Sequence, residues 1–189
     1  MVSNMRQISK AAAVGWTLAL VVFVASTPLR GETARHSLPE ILRLFPGYHV
    51  ASLKEFDPDT RNYLLENYPK VDPSVVRADF DGDGSPDFGL LLKNDATHVA
   101  RVVILLCPAR ASCKAVYDLD VSQMSGIVYL RPIPPGAPVP PADDDDASSS
   151  IKQTKLKTAA VELNYFGKAS VVLYWNQAHK KIEEIDTSD

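Results

Sequence analysis

The sequence predicts an α+β domain, with short N-terminal helices packed on a mainly antiparallel sheet of about seven strands in a meander, not a propeller. Helix start signals occur only before residue 70, whereas apolar segments alternate with short turns from residue 75 onward. Short connections favour hairpins, and the strands of a hairpin pair antiparallel. A chain of 189 residues can bury one substantial core, so we expect a single domain.

Two short helices are predicted before the first strand. Ser37 is a favourable N-cap for a helix over residues 37–45, which Pro46 ends. Asp57 caps the second helix, and Pro58 suits its first position. The second helix carries an apolar stripe at helical spacing, formed by Tyr63, Leu64, Leu65 and Tyr68.

The predicted strands follow one another with short turns between most of them. They lie at residues 74–78, 87–93, 98–107, 114–119, 126–133, 158–166, 170–175 and 180–186. Segment 98–107 is nearly all apolar and rich in β-branched residues, which predicts a central strand covered on both faces. We expect the two helices to cover its second face.

One internal segment and the N-terminus differ in composition from the rest. Residues 132–150 are rich in proline, aspartate and serine, which predicts a solvated, mobile loop. Residues 1–26 have the basic start, with Arg6 and Lys10, and the apolar stretch of a secretory signal peptide. We therefore expect cleavage near Ser26 and a domain over residues 27–189.

A signal peptide places the protein in the periplasm or outside the cell, with no membrane span after cleavage. A retained membrane anchor is the alternative. Loss of Arg6 and Lys10 changes the formal net charge from −3 to −5. Nucleic acid is not an expected partner, because phosphate binding requires clustered basic residues that this sequence lacks.

The two cysteines, Cys107 and Cys113, lie at the ends of neighbouring strand-like segments. In an oxidising compartment we expect them to form a disulfide across the mouth of a turn. Its small loop would stabilise the fold by about 2 kcal/mol. Two free buried thiols are the alternative, and a zinc site has too few ligands.

Residues 79–87 contain the most specific chemical pattern, aspartates at alternate positions around two glycines. Oxygen ligands of this kind are typical of a loop that binds Ca²⁺, and Gly84 permits the sharp turn that such a loop needs. The predicted ligands are the carboxylates of Asp79, Asp81, Asp83 and Asp87 and the backbone carbonyl of Ser85.

Two other interpretations of the loop are possible. An EF-hand needs flanking helices and a glutamate at position 12, where this chain has Leu90, so that interpretation fails. An acidic turn without an ion is the remaining alternative. In such a turn, carboxylates held about 5 Å apart would repel one another by about 1–3 kcal/mol per pair, so they would have to point into water.

Residues 78–88 resemble the D-x-D-G-D-G-x-x-D core of FG-GAP (VCBS-type) repeats, found in integrin α-chain propellers and many bacterial exported proteins. The resemblance implies ligation of Ca²⁺ by the four aspartate side chains and the Ser85 carbonyl. Propellers repeat the motif over at least about four blades, whereas this chain has one copy, so their fold is not expected. The remaining layout resembles uncharacterised bacterial exported proteins with a single such loop.

No motif predicts catalysis. The four histidines, His36, His49, His98 and His179, are isolated, and serine-hydrolase and phosphate-binding motifs are absent from the sequence. Tyr165, Phe166, Tyr174 and Trp175 lie on neighbouring strands and are expected in the core. The alternative is an aromatic surface for a protein or glycan partner.

We therefore expect an exported calcium-binding protein that acts as a non-catalytic binding or interaction module of the cell envelope. The expected ligand is a structural Ca²⁺, and the expected partner is an envelope protein or a glycan. One alternative is a hydrolase whose site is assembled from distant residues, with the ion near its cleft. Another is a small inhibitor of an extracellular enzyme.

Overall fold

The computed structural model describes residues 36–139 and 154–188. The helices are α1 (Leu38–Leu42) and α2 (Pro58–Asn67), and 3₁₀ turns occupy Leu53–Glu55 and Ser122–Met124. The strands are β1 (His49–Val50), β2 (Val75–Ala78), β3 (Asp87–Asn94), β4 (Val99–Leu106), β5 (Lys114–Asp120), β6 (Val128–Ile133), β7 (Pro138–Val139), β8 (Thr154–Lys155), β9 (Ala160–Tyr165), β10 (Ala169–Asn176) and β11 (Lys181–Ser188). The predicted α+β class with antiparallel pairing is confirmed.

The first sheet is built around β3. Strand β4 pairs along one side of β3, and β5 pairs with β4. The other side of β3 is shared, because β2 pairs with its first half and β1 with its second half. The loop at residues 79–87 is therefore the connection of the β2–β3 hairpin.

The second sheet has the order β11-β10-β9-β6. Strand β6 pairs with β9 across a long gap in sequence, and β9, β10 and β11 form two successive hairpins. A separate two-stranded pair joins β7 to β8 through Val139 and Thr154. The predicted strands are thus divided between two main sheets instead of forming one meander.

The main core lies between the two sheets. Leu91, Val102 and Ile104 of the first sheet pack in one buried cluster with Leu130 and Leu163 of the second. Because strands β3 and β4 are apolar on both faces, they need a cover on each side. The second sheet supplies one of these covers.

Helix α1 covers the other face of the first sheet. Ile41 is buried there against Leu90, Leu92 and Val103. Helix α2 packs elsewhere, with Leu64 buried in the main core. The expectation that both helices cover the second face of segment 98–107 is therefore wrong for α2. Helix α1 covers one face of the first sheet, and the second sheet covers the other.

Only part of the predicted mobile loop at 132–150 lies in the described residues. Strand β6 continues to Ile133, and Val139 in β7 is buried. Residues 138–139 therefore form a paired strand, because a buried apolar side chain stabilises that pairing. The rest of that loop, from residue 140, and the predicted signal peptide at 1–26 lie outside the described residues.

The cysteine pair forms the expected disulfide. Cys107 directly follows β4, Cys113 directly precedes β5, and their sulfur atoms are bonded. The cross-link therefore closes the connection between two paired strands. Within residues 36–139 and 154–188, no helix is long and apolar enough to cross a membrane.

Candidate metal centre

The aspartate loop begins and ends on paired strands. Ala78 at the end of β2 lies opposite Asp87 at the start of β3. Gly82 and Gly84 have positive φ angles of 80° and 84°, a backbone conformation that glycine adopts without steric cost. The two glycines therefore allow the sharp turns by which the loop returns from β2 to β3.

Three of the predicted ligands converge. A carboxylate oxygen from each of Asp79, Asp81 and Asp87 lies within 4.8 Å of the other two, a group that can hold a metal ion. The Asp83 carboxylate lies outside this group and accepts a hydrogen bond of 2.6 Å from the Ser85 N–H. Ser85 itself is buried.

Backbone N–H groups hold two of these carboxylates in place. Asp79 accepts hydrogen bonds from the N–H of Gly82, at 2.6 Å, and of Gly84, at 2.9 Å. Asp81 accepts one from the Asp83 N–H at 3.1 Å. Each carboxylate oxygen has two lone pairs, so these bonds leave lone pairs for a cation.

Asp87 is the most buried member of the group, with 1% of its surface exposed. Its Oδ2 accepts a hydrogen bond of 2.8 Å from the Phe80 N–H, and its Oδ1 accepts one of 2.7 Å from the Cys107 N–H. The carboxylate therefore joins the start of the loop to the residue that begins the disulfide-closed connection.

Two carboxylates of the loop have raised pKa values. Burial, together with the negative charge of Asp81, raises the pKa of Asp87 to about 6 against the hydrogen bonds that favour its ionised form. Burial and the charges of Asp83 and Asp79 also raise the pKa of Asp81. A bound cation would lower both pKa values, since it favours the ionised carboxylates.

The loop also contacts the C-terminal part of the chain. The Gln177 side-chain amide donates to the Asp81 carbonyl, and the Ala159 N–H donates to the Asp79 carbonyl at 3.3 Å. A Cβ at Gly82 would lie 3.1 Å from Thr158 Cγ2. The candidate metal centre therefore lies where the first sheet meets segments that flank the second.

Sequence reasoning missed Gln177 and the Cys107 N–H as neighbours of the loop. Gln177 is 96 residues away from Asp81 in the sequence, and Cys107 donates through its backbone. Neither contact has a local pattern. The sequence offers one signal for the Gln177 contact, the polar turn of asparagine and glutamine that follows β10.

A second group of ligand-type residues lies at the opposite end of β3. His49 Nε2 is 3.1 Å from Glu55 Oε1, and His49 Nδ1 is 3.9 Å from Asp95 Oδ2. The expectation that His49 is isolated is wrong, because β1 pairs with the end of β3 and brings it beside the following turn. Lys93 lines a cavity together with Glu55 and Asp95, and its ammonium donates a hydrogen bond of 2.9 Å to the Glu55 carbonyl.

The four aromatic residues singled out in the sequence do not form one surface. Tyr165, Phe166 and Trp175 pack against the main core, and Tyr174 packs against a smaller cluster with Val172. All four side chains are partly buried at the margins of these clusters. The sequence places Tyr63 on the apolar stripe of the second helix but does not predict its contacts with Tyr129 and Phe166 in an aromatic group.

No protein-family model, curated protein or solved structure matches the chain. The function is therefore argued from the site itself.

Proposed function

We propose that the chain is an exported calcium-binding protein that acts as a non-catalytic binding module, in which Ca²⁺ has a structural role. The convergence of the Asp79, Asp81 and Asp87 carboxylates is the observation that supports it. Ca²⁺ takes six to eight oxygen ligands in flexible geometry, and a loop of aspartates offers oxygen ligands alone. The resemblance to FG-GAP repeats supports the same ion.

The proposed ligand set has five members. The Asp79, Asp81 and Asp87 carboxylates form its converged part. Asp83 and the Ser85 carbonyl complete the coordination, as the alternate spacing of the sequence predicts. In this proposal the Asp83 side chain exchanges its hydrogen bond from the Ser85 N–H for the ion, a rotation within one short turn.

A structural role is supported by what the loop contacts. The Asp81 and Asp79 carbonyls accept hydrogen bonds from Gln177 and Ala159, which flank strands of the second sheet. An ion that fixes the loop would also fix these contacts. Binding to the folded state alone adds about 2.7 kcal/mol to the free energy of unfolding at a hundredfold excess of Ca²⁺ over its Kd.

Export is supported by the disulfide between Cys107 and Cys113, because disulfides persist mainly in oxidising compartments. The test is fractionation of expressing bacteria, with mass spectrometry of the N-terminus. We expect the protein in the periplasm or medium, cleaved near Ser26. Uncleaved protein in the membrane fraction would instead support a retained anchor.

The main experiment is calcium titration calorimetry alongside thermal unfolding with excess Ca²⁺ and with chelator. We expect about one bound ion and a clear rise in unfolding temperature. No binding and no shift would reduce the loop to an acidic turn. Turnover of a glycoside, ester or peptide substrate, abolished by one polar substitution, would contradict the non-catalytic assignment.

A further inference from the structure

The disulfide and the candidate metal centre meet at one carboxylate. Asp87 Oδ1 accepts a hydrogen bond of 2.7 Å from the Cys107 N–H, and Cys107 is bonded through its sulfur to Cys113. Asp87 also contributes an oxygen to the group that converges with Asp79 and Asp81. A single residue, Cys107, therefore links the disulfide to a proposed calcium ligand.

Cys107 lies just beyond the paired part of β4. The last registered pair between β4 and β5 joins Leu106 to Lys114, and no registered strand pair in the described residues includes Cys107. Its N–H is bound to Asp87, and its side chain is buried and bonded to Cys113. The disulfide therefore closes the connection between β4 and β5 at the residue that makes the Asp87 hydrogen bond.

The two sulfur atoms differ in accessibility. Cys107 is buried, whereas Cys113 is partly exposed and lines a surface cavity of about 280 Å³ beside Glu40 and Ser112. Thiol–disulfide exchange requires that an attacking thiolate reaches one of the two sulfurs. A reductant can therefore reach the bond through Cys113, with Cys107 as the leaving group.

We propose that the Cys107–Cys113 disulfide is a redox switch for the calcium site. The oxidised chain binds Ca²⁺ tightly, and the reduced chain binds it weakly. Without the cross-link, the connection at 107–113 opens locally more often, and the Cys107 N–H then leaves Asp87. Hydrogen bonds to a ligating carboxylate orient it for the metal, so their loss lowers the affinity for the ion.

The redox step is a two-electron exchange with a dithiol. One thiolate of the dithiol attacks Cys113 Sγ, and the disulfide breaks as Cys107 leaves as a thiolate and takes up a proton. The second thiolate of the dithiol then displaces Cys113, which also takes up a proton. The products are two cysteine thiols and the cyclic disulfide of the reductant, and the two protons that the dithiol loses balance those that the cysteines gain.

The inference rests on the proposed function, because it regulates the same calcium site. Thiols are kept reduced in the cytosol, whereas disulfides form and persist in oxidising compartments. The switch therefore completes the calcium site only after the chain reaches such a compartment. Because linkage is reciprocal, bound Ca²⁺ stabilises the disulfide by the same factor.

The test is calcium titration calorimetry of the full chain, oxidised and after reduction by dithiothreitol. We expect the Kd for Ca²⁺ to rise at least about tenfold on reduction, the effect of losing a hydrogen bond that orients a metal ligand. Saturating Ca²⁺ should lower the reduction potential of the disulfide, by about 30 mV for a tenfold coupling. Equilibration with dithiothreitol followed by thiol alkylation, with Ca²⁺ and with chelator, measures that potential.

Two variants serve as controls. Cys107→Ser combined with Cys113→Ser cannot form the cross-link, so it should bind Ca²⁺ like the reduced chain and show no response to dithiothreitol. Arg110→Ala changes an exposed residue of the same connection and keeps the disulfide, so it should behave as the wild type. In hydrogen exchange, reduction should speed exchange of the Cys107 amide, while the Leu91 and Val102 amides of the core strands stay protected.

The possible failures can be told apart. Equal affinity of the oxidised and reduced chains, or wild-type affinity in the double serine variant, would refute the switch and leave the calcium site standing. No binding to the oxidised chain would instead refute the calcium site, and the switch with it. Loss of core amide protection on reduction would also contradict the switch, because calcium would then be released by unfolding of the whole domain.

Discussion

The two ends of strand β3 each carry a group of acidic residues, and the two groups differ in charge balance. At the start of β3, Asp87 joins Asp79 and Asp81 in a group made of carboxylates alone, with the Lys180 charge acting on Asp81. Past its end, Glu55 and Asp95 flank His49, with Lys93 nearby. The comparison shows that proximity of carboxylates alone does not identify a cation site.

The pKa shifts of the two groups run in opposite directions. Burial raises the pKa of Asp87 to about 6 and also raises that of Asp81. Burial of Glu55 acts in the same sense, but hydrogen bonds from Ser52 and His49 outweigh it and lower the pKa of Glu55. In the first group burial and mutual repulsion outweigh the attraction of Lys180 for Asp81, whereas Glu55 in the second group accepts hydrogen bonds that offset its burial, and we therefore propose the ion at the first.

The largest expected difference between the groups is in stability without calcium. Asp87→Ala would leave the buried Phe80 and Cys107 N–H groups without an acceptor, at a cost of roughly 2–6 kcal/mol. Asp95→Ala, at a side chain 91% exposed, should cost less than about 0.5 kcal/mol. Urea unfolding with chelator measures both, and equal losses would contradict the structural role of Asp87.

The next difference is in the calcium response. Asp81→Ala should abolish the stabilisation by Ca²⁺, about 2.7 kcal/mol at a hundredfold excess over Kd. With chelator it should be no less stable than the wild type, because it removes a carboxylate repelled by Asp83 and Asp79. Asp95→Ala serves as the control. If Asp95→Ala removed the response instead, the ion would belong to the His49 group.

The third difference is in pH dependence without calcium. Because the pKa of Asp87 is raised to about 6, its contribution to stability is fully present below about pH 4 and lost as the pH rises through about 6. Glu55 acts oppositely, since its lowered pKa gives stability above about pH 4.3 that is lost as the pH falls.

Urea unfolding between about pH 3.5 and 7 should therefore separate the two carboxyl groups. Asp87→Asn should remove the loss of stability between about pH 4 and 6. Glu55→Gln should change only the loss of stability at lower pH, below about 4.3. Calcium affinity should rise through about pH 6 as Asp87 ionises. An unchanged profile in Asp87→Asn would show that another group titrates there.

The smallest expected effect concerns the contact between the loop and the C-terminal hairpin. Gln177→Ala removes the amide that donates to the Asp81 carbonyl, a loss of about 1 kcal/mol. If this hydrogen bond stabilises only the calcium-bound form of the loop, the affinity for Ca²⁺ should fall about fivefold. Gln123→Ala, an exposed glutamine in the 3₁₀ turn Ser122–Met124, is the matched control.

The parts of this fold that depend on neighbouring residues could be predicted from the sequence. Asp57 and Pro58 mark the start of α2, and the turn after β3 is held by hydrogen bonds from Ala96 and Thr97 to the Asn94 side chain. The alternate aspartates also predict a loop in which side chains converge. In each case the stabilising contact lies within a few residues.

The parts that depend on distant pairing could not be predicted. Strand β6 pairs with β9 instead of β5, which creates the second sheet and displaces α2 from its expected position. His49 meets Asp95 only because β1 occupies the far half of β3. A hydrophobic pattern tells which face of a strand is buried, but it does not specify which partner covers that face.

The short β7–β8 pair brings Val139 beside Thr154, so the chain leaves and re-enters the described domain at neighbouring points. The entropic cost of joining two points that are already paired grows slowly with the length of the connection, by about 0.6 kcal/mol for each doubling. We therefore expect the proline- and aspartate-rich stretch to tolerate the insertion of an epitope, a protease site or a second module.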